Sequence, residues 1–394
     1  MSENSYINIT DKSMCSGCRA CEHSCPFSAI SMAKDNEGFI YPDVDLSKCT
    51  NCGICTETCP VTKFREKNLP KTVYTAQLLD KKLLSQSSSG GVFAPLAKYV
   101  IDNGGYVFGC VFDENYNAII KKATTMDEVY PMQGSKYVSS DTLDTFAEAR
   151  ELLKKGDLVL YTATPCQIAG LKAYLKKDYD NLITMDFLCH GVTSADLFSE
   201  NISYLESKYG GKITDYKFRD KSKRGWAICT GFKSNGKKYY ELFKENLYFC
   251  GFISGSASRY SCYSCHFRGE NKKSDITVGD FWGCSDTDID TSKGVSFIAI
   301  NTEIGYNVIN NIKSEFYMSE TTAEEVAKQN SSMLHDTPEK IPQFRKNIYG
   351  ELKRLGYAKC ADKYFKPKNY ALIKLKNRMP KFLLEFAKKI RGLK

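Results

Sequence analysis

The run C-S-G-C-R-A-C-E-H-S-C-P beginning at Cys15 recurs as C-T-N-C-G-I-C-T-E-T-C-P beginning at Cys49, each a C-x2-C-x2-C-x3-C-P pattern. Three thiolates at this spacing wrap one face of an iron-sulfur cube, and the last cysteine of each run reaches the other cube. The pattern therefore predicts two 4Fe-4S clusters with crossed ligation. One takes Cys15, Cys18, Cys21 and Cys59, and the other takes Cys49, Cys52, Cys55 and Cys25. Pro26 and Pro60 close the runs by fixing φ and removing a backbone donor. Structural zinc is the competing reading, but it takes four ligands from paired knuckles rather than interleaved runs of four. A secreted disulfide scaffold is disfavoured, because residues 1–14 are polar and lack the apolar core of a signal peptide.

With 394 residues the chain is too long for a ferredoxin alone. The expected layout is a dicluster ferredoxin over 1–65, a linker over 66–72, an oxidoreductase domain over 73–305, a helical region over 306–362 and a basic amphipathic tail over 363–394. Seventeen cysteines, an odd number, without a signal peptide point to a reducing cytoplasm. No apolar run is long enough to span a membrane. Residues 361–394 carry 11 Lys or Arg against Asp362 and Glu385, which matches the whole chain's net charge of +9. The rest of the chain is balanced, so nothing in the composition calls for nucleic acid.

Between the cysteine runs, residues 29–46 read as a small hairpin turning near 36–38. Strands are expected at 73–79, 105–112 and 118–123. Gln86 begins Q-S-S-S-G-G-V-F, a Ser/Gly loop that runs into a helix N-terminus and suits either a phosphate or plain helix punctuation. Two strand-turn-helix units follow, 158–162 into T-P-C-Q-I-A-G-L-K and 182–188 into C-H-G-V-T-S-A-D-L-F. They predict neighbouring strands of a largely parallel sheet, with Cys166 and Cys189 at the carboxyl ends where chemistry gathers. A further C-x2-C lies at Cys262 and Cys265.

The segments P-C-Q-I-A-G-L-K, D-F-L-C-H-G-V, F-R-D-K-S-K-R-G-W, C-Y-S-C-H-F-R and D-I-T-V-G-D-F-W-G follow the two cysteine runs in this order. In that combination, from about residue 15 to about residue 305, the chain resembles the coenzyme F-420 hydrogenase/dehydrogenase beta-subunit family. Its members are flavoproteins that use FAD and iron-sulfur clusters, among them F-420-reducing hydrogenase subunits, the electron-input half of an archaeal sulfite reductase and plant 7-hydroxymethyl chlorophyll a reductase. The resemblance implies a mixed α/β flavin domain behind the ferredoxin. It places Ser88, Ser89, Gly90 and Gly91, with Ser135, Lys136 and Tyr137, at the FAD site. A flavin converts the single electrons of clusters into the pairs that organic reductions need.

Cys166, Cys189, Cys262 and Cys265 make a full complement for a third 4Fe-4S cluster. A redox-active Cys166–Cys189 pair and a zinc site are the rival readings. His190 is the candidate proton donor, and a histidine bonded to cluster sulfur or backbone is the alternative for it and for His266. Two functions fit. One is an oxidoreductase with its own small organic acceptor, fed by a ferredoxin or a partner subunit. The other is a relay subunit of a larger hydrogenase or dehydrogenase. Beyond Pro380, Phe382, Phe386, Ile390 and Leu393 share a helical face flanked by Lys381, Lys388, Lys389 and Arg391. That face fits an anionic membrane surface, which would make the protein peripheral. It equally fits the protein's own body or a second copy in a homo-oligomer.

Overall fold

A computed structural model describes residues 6–9, 11–63, 68–334 and 340–378. In the N-terminal region two short helices, Ala20–Ser24 and Ile54–Glu57, flank an antiparallel hairpin of β1 (Ile30–Lys34) and β2 (Ile40–Val44). Asp35 fixes the hairpin tip by accepting from the Glu37 and Phe39 backbone N–H groups.

The remaining strands are β3 (Thr72–Leu78), β4 (Tyr106–Phe112), β5 (Ala118–Ala123), β6 (Val159–Thr162), β7 (Leu182–Phe187), β8 (Ile213–Lys217), β9 (Cys229–Ser234), β10 (Lys237–Leu242), β11 (Ile276–Asp280), β12 (Ser296–Ile300) and β13 (Phe316–Thr321). Eight of them form one sheet in the order β13-β3-β12-β11-β7-β6-β4-β5. Its centre, β4-β6-β7-β11, is parallel, and the flanking pairs are antiparallel, so the sheet is mixed.

Strand periodicity explains the two layers of helices. In β6, Val159 and Tyr161 face one side with Phe146, Ile168 and Leu171, while Leu160 faces the other with Leu96, Val100, Ile183 and Ile309. A strand buried on both faces reads as a nearly continuous apolar run, and β6 and β12 are buried at every position, with Thr162 and Ser296 their only polar residues. The expected neighbours at 158–162 and 182–188 are indeed β6 and β7, paired in parallel with Thr162 opposite Met185.

A smaller antiparallel sheet, β10-β9-β8, sits on an aromatic core that includes Phe198, Phe218, Phe232 and Phe249. Phe39 of the ferredoxin hairpin joins that core, and Cys18 and Ala20 join the core around Tyr161. The ferredoxin is therefore docked into the body of the protein. Glu37 holds the fully buried Arg345 with contacts of 2.9 and 2.6 Å.

One expectation needs correction. Residues 316–321, in the stretch read as helical, form edge strand β13 against β3. Its partial burial leaves only a weak alternating signal, and pairing to β3 decides its conformation. The proposed amphipathic tail beyond Pro380 lies outside the described residues, although the helix Tyr370–Arg378 precedes it. No described helix is long and apolar enough to cross a membrane.

Candidate iron-sulfur and flavin sites

Each predicted cysteine quartet lines its own cavity. Cys15, Cys18, Cys21 and Cys59 surround one of about 20 Å³, and Cys25, Cys49, Cys52 and Cys55 surround another of about 20 Å³. Cys166, Cys189, Cys262 and Cys265 line a third, of about 50 Å³. Among the described residues no three His, Cys, Asp or Glu side chains could hold a single metal ion. All seventeen cysteines are free thiols. Four cysteine sulfurs around a cavity fit the ligand set of a 4Fe-4S cube.

The three cavities form a row. Val61 and Ser16 line both the Cys15 cavity and the Cys166 cavity. Cys59, Cys166 and Cys265 pack on one small apolar cluster with Val61, Ala169 and Phe267. On the far side, Cys21 and Cys55 share another with Ile7 and Ile30.

Local structure explains how the last quartet converges. The helix Pro165–Leu175 starts at the end of β6, with Thr164 and Gln167 forming a capping box and Pro165 at the first position. That start puts Cys166 in the first turn. Cys189 follows the adjacent β7, and Cys262 lies on the short helix Tyr260–Tyr263. Backbone N–H groups then point at sulfur: Gly191 to Cys189 at 3.4 Å, Phe267 to Cys265 at 3.5 Å, Ile7 to Cys55 at 3.2 Å and Ala29 to Cys25 at 3.3 Å. Such donors stabilise thiolate charge and tune a cluster's potential.

Burial pushes the pKa of Cys166 up to about 11, that of Cys189 up to about 12 and that of Cys18 up to about 12, with neighbouring cysteines adding to each. Cys262 is raised for the same reasons. A coordinating metal, by contrast, removes the proton outright.

The segments assigned to flavin also meet. Ser88 Oγ accepts from the Ser135 N–H at 2.7 Å and lies 3.0 Å from Ser135 Oγ. The helix Phe93–Asp102 begins just after the loop without a side-chain cap. Gln133, in the second segment, buries both amide atoms without a partner among the described residues. The other loop groups are already engaged. Ser89 donates to Val295 O, the Gly90 N–H donates to Ser296 Oγ, and a Cβ on Gly90 would stand 2.4 Å from Ala76 O and Ser296 N. Packing on β3 and β12 is enough to require glycine at position 90. Lys136 is bound to the Pro131, Met132 and Gln133 carbonyls, and burial pushes it down to about 8. The Tyr137 hydroxyl accepts from Arg219 at 3.2 Å.

Two of the segments that carry the resemblance, at 218–226 and 275–283, meet beside this loop, although sequence reading gave their residues no individual role. Lys221 ties the Ser/Gly loop together by donating to the Leu84, Ser89 and Lys293 carbonyls, and burial, with Arg219, pushes it down to about 7. Arg219 pairs with Asp280 at 2.8 Å, which also accepts from Trp226, and Trp226 stacks on Trp282 at 4.1 Å. Arg259 lines the Cys166 cavity. These contacts span long stretches of sequence, so the motifs do not show by themselves which residues meet. His190 is exposed and outside the residues lining that cavity, whereas His266 lines it.

Comparison with known proteins agrees with this layout. Residues 156–326 match the family described as the C terminus of the coenzyme F420 hydrogenase/dehydrogenase beta subunit, and residues 14–63 match the 4Fe-4S dicluster domain. Coenzyme F420 hydrogenase subunit beta of Methanococcus voltae is 26% identical over 253 residues, covering 61% of this chain and 85% of that protein. A chain from the xenon-derivatised F420-reducing NiFe hydrogenase complex of Methanosarcina barkeri aligns with a TM-score of 0.45 at 17% identity, covering 74% of this chain and 95% of its own. The chain thus joins a 4Fe-4S dicluster domain to a domain similar to the C terminus of coenzyme F420 hydrogenase/dehydrogenase beta subunits.

Proposed function

We propose that this chain is an iron-sulfur flavoprotein that relays electrons between a partner redox protein and a two-electron acceptor. The observation that carries the reading is the row of three cavities, each lined by four cysteines. Cys15, Cys18, Cys21 and Cys59, then Cys49, Cys52, Cys55 and Cys25, and finally Cys166, Cys189, Cys262 and Cys265 would each hold a 4Fe-4S cluster. The Ser88–Ser135 contact and the uncapped helix start support one FAD per chain. When bound, clusters supply one-electron transfer, and a flavin exchanges single electrons for pairs.

The protein's own residues set the order of the sites. Cys52 is exposed, so the quartet of Cys49 is the one a partner protein can approach. Ser16 and Val61 form the thin shared wall between the Cys15 and Cys166 quartets. The Arg219–Asp280 pair holds Tyr137 beside the flavin segment.

The Methanococcus voltae relative, by its name a hydrogenase subunit, supports a partner subunit as electron source and coenzyme F420 as the acceptor to try first. Anaerobic purification should yield about 12 irons and one FAD per chain. Protein reduced by ferredoxin should then reduce F420 or another small organic acceptor. Absence of flavin, or about eight irons, would remove the corresponding part of the proposal.

A further inference from the structure

Arg259 is 1% exposed, and it stands between two of the cysteine quartets. Its backbone caps the helix that carries Cys262, and the residue lines the Cys166 cavity. Its side chain reaches the other way, into the ferredoxin. Nε donates to Cys15 O at 2.8 Å, and Nη2 donates to Ile40 O at 2.7 Å and lies 3.9 Å from Cys15 Sγ. The guanidinium lies over Tyr41, 4.2 Å from the ring centre.

Two details set it apart from Arg345, Arg219 and Arg19. Those three pair with Glu37, Asp280 and Asp141 in turn, whereas the partners of Arg259 are carbonyls, a sulfur and aromatic faces. Its Nη1 is buried without a partner among the described residues. A buried guanidinium lacking a counter-charge is strongly unfavourable unless negative charge lies close by. The ferredoxin loop is shaped to admit it: Gly17 has φ +71, and a Cβ there would come within 3.0 Å of both Nη1 and Nη2.

We propose that Arg259 is a positioning residue for electron transfer, whose charge is balanced by the cluster thiolates of Cys15, Cys18, Cys21 and Cys59 and which raises the reduction potential of that site toward the Cys166 quartet. The inference rests on the reading that these quartets hold clusters. A fixed cation beside a cluster favours its reduced, more negative form. A merely structural arginine would pin Cys15 O and Ile40 O without altering a potential.

The test is an EPR-monitored redox titration of the full chain, wild type against Arg259→Gln, Arg259→Met, Arg259→Lys and Gly17→Ala. Cys18→Ala marks which signal belongs to this quartet. Iron content of the wild type judges the cluster reading separately. The inference expects Arg259→Gln to lower that signal's midpoint by at least the factor of ten in equilibrium, about 59 mV for one electron, while Arg259→Lys restores most of it. If Arg259→Gln yields no iron-loaded protein, Arg259→Met carries the test, since it keeps an unbranched side chain and removes the charge, and the midpoint should again fall; Gly17→Ala, whose Cβ would meet Ile40 O at 2.9 Å as well as the guanidinium, should lower it too. An unchanged midpoint in the loaded variant overturns the proposal, as does an equal fall in the Gln and Lys variants.

Discussion

The cysteine cavities and the Ser/Gly loop at 88–91 are two kinds of prepared site. In the cavities, thiols converge from separate elements and keep space between them, because sulfur makes only weak hydrogen bonds and the four cannot satisfy one another. In the loop, hydroxyls and amides close on the protein's own backbone: Ser87 and Ser89 donate to carbonyls, and Gly90 fits flush against β3 and β12. The difference teaches that a ring of cysteines around a cavity is readable from volume and donor type, while a loop whose hydroxyls and amides bond to its own backbone carries no such mark.

The largest effect that could break this comparison is loss of a whole cluster. Cys25→Ser should abolish the EPR signal of the quartet with Cys49, Cys52 and Cys55 and spare that of Cys15, because Cys25 lines the former's cavity although it belongs to the first run. Loss of the Cys15 signal instead would undo the crossed assignment.

Next in size is the docking that brings the quartets into a row. Glu37→Gln strips the carboxylate from fully buried Arg345 and should cost about 3–5 kcal/mol of stability, read as a fall in the denaturant midpoint. A shift under about 1 kcal/mol would mean that the pair behaves as a surface contact.

The loop gives the third prediction, and it separates packing from ligand binding. Gly90→Ala should destabilise the fold by about 1–3 kcal/mol through its clash with backbone, whatever binds there. Ser88→Asp leaves Gly90 and its backbone contacts in place, so its FAD content in folded protein is the informative number. Full FAD in a folded Ser88→Asp protein would move the flavin elsewhere.

The smallest effect concerns residues 381–394. Each basic residue near an anionic surface adds about 1 kcal/mol, so the full-length chain should sediment with anionic vesicles at low salt more than a chain ending at Asp362. Equal sedimentation of the two would remove the membrane role.

How much of this was legible follows from the distance over which each feature is encoded. The first eight ligands lie within one repeated local pattern, and Cys166 and Cys189 were placed by the strand-turn-helix pattern around each. Arg259 was invisible because its partners Cys15 and Ile40 lie 244 and 219 residues away. Strand β13 was missed because its order comes from pairing with β3 rather than from its own half-buried residues. His190 was singled out by adjacency to Cys189; it is exposed, and the next residue, Gly191, has φ +97.

The central claim is that the quartet of Cys166, Cys189, Cys262 and Cys265 holds a third cluster. Total iron in anaerobically purified wild type and in a Cys189→Ala, Cys262→Ala double variant tests it directly. The account predicts about 12 irons per chain falling to about eight, with both ferredoxin signals intact. About eight irons in both proteins, or one zinc per wild-type chain that is lost in the variant, would contradict it.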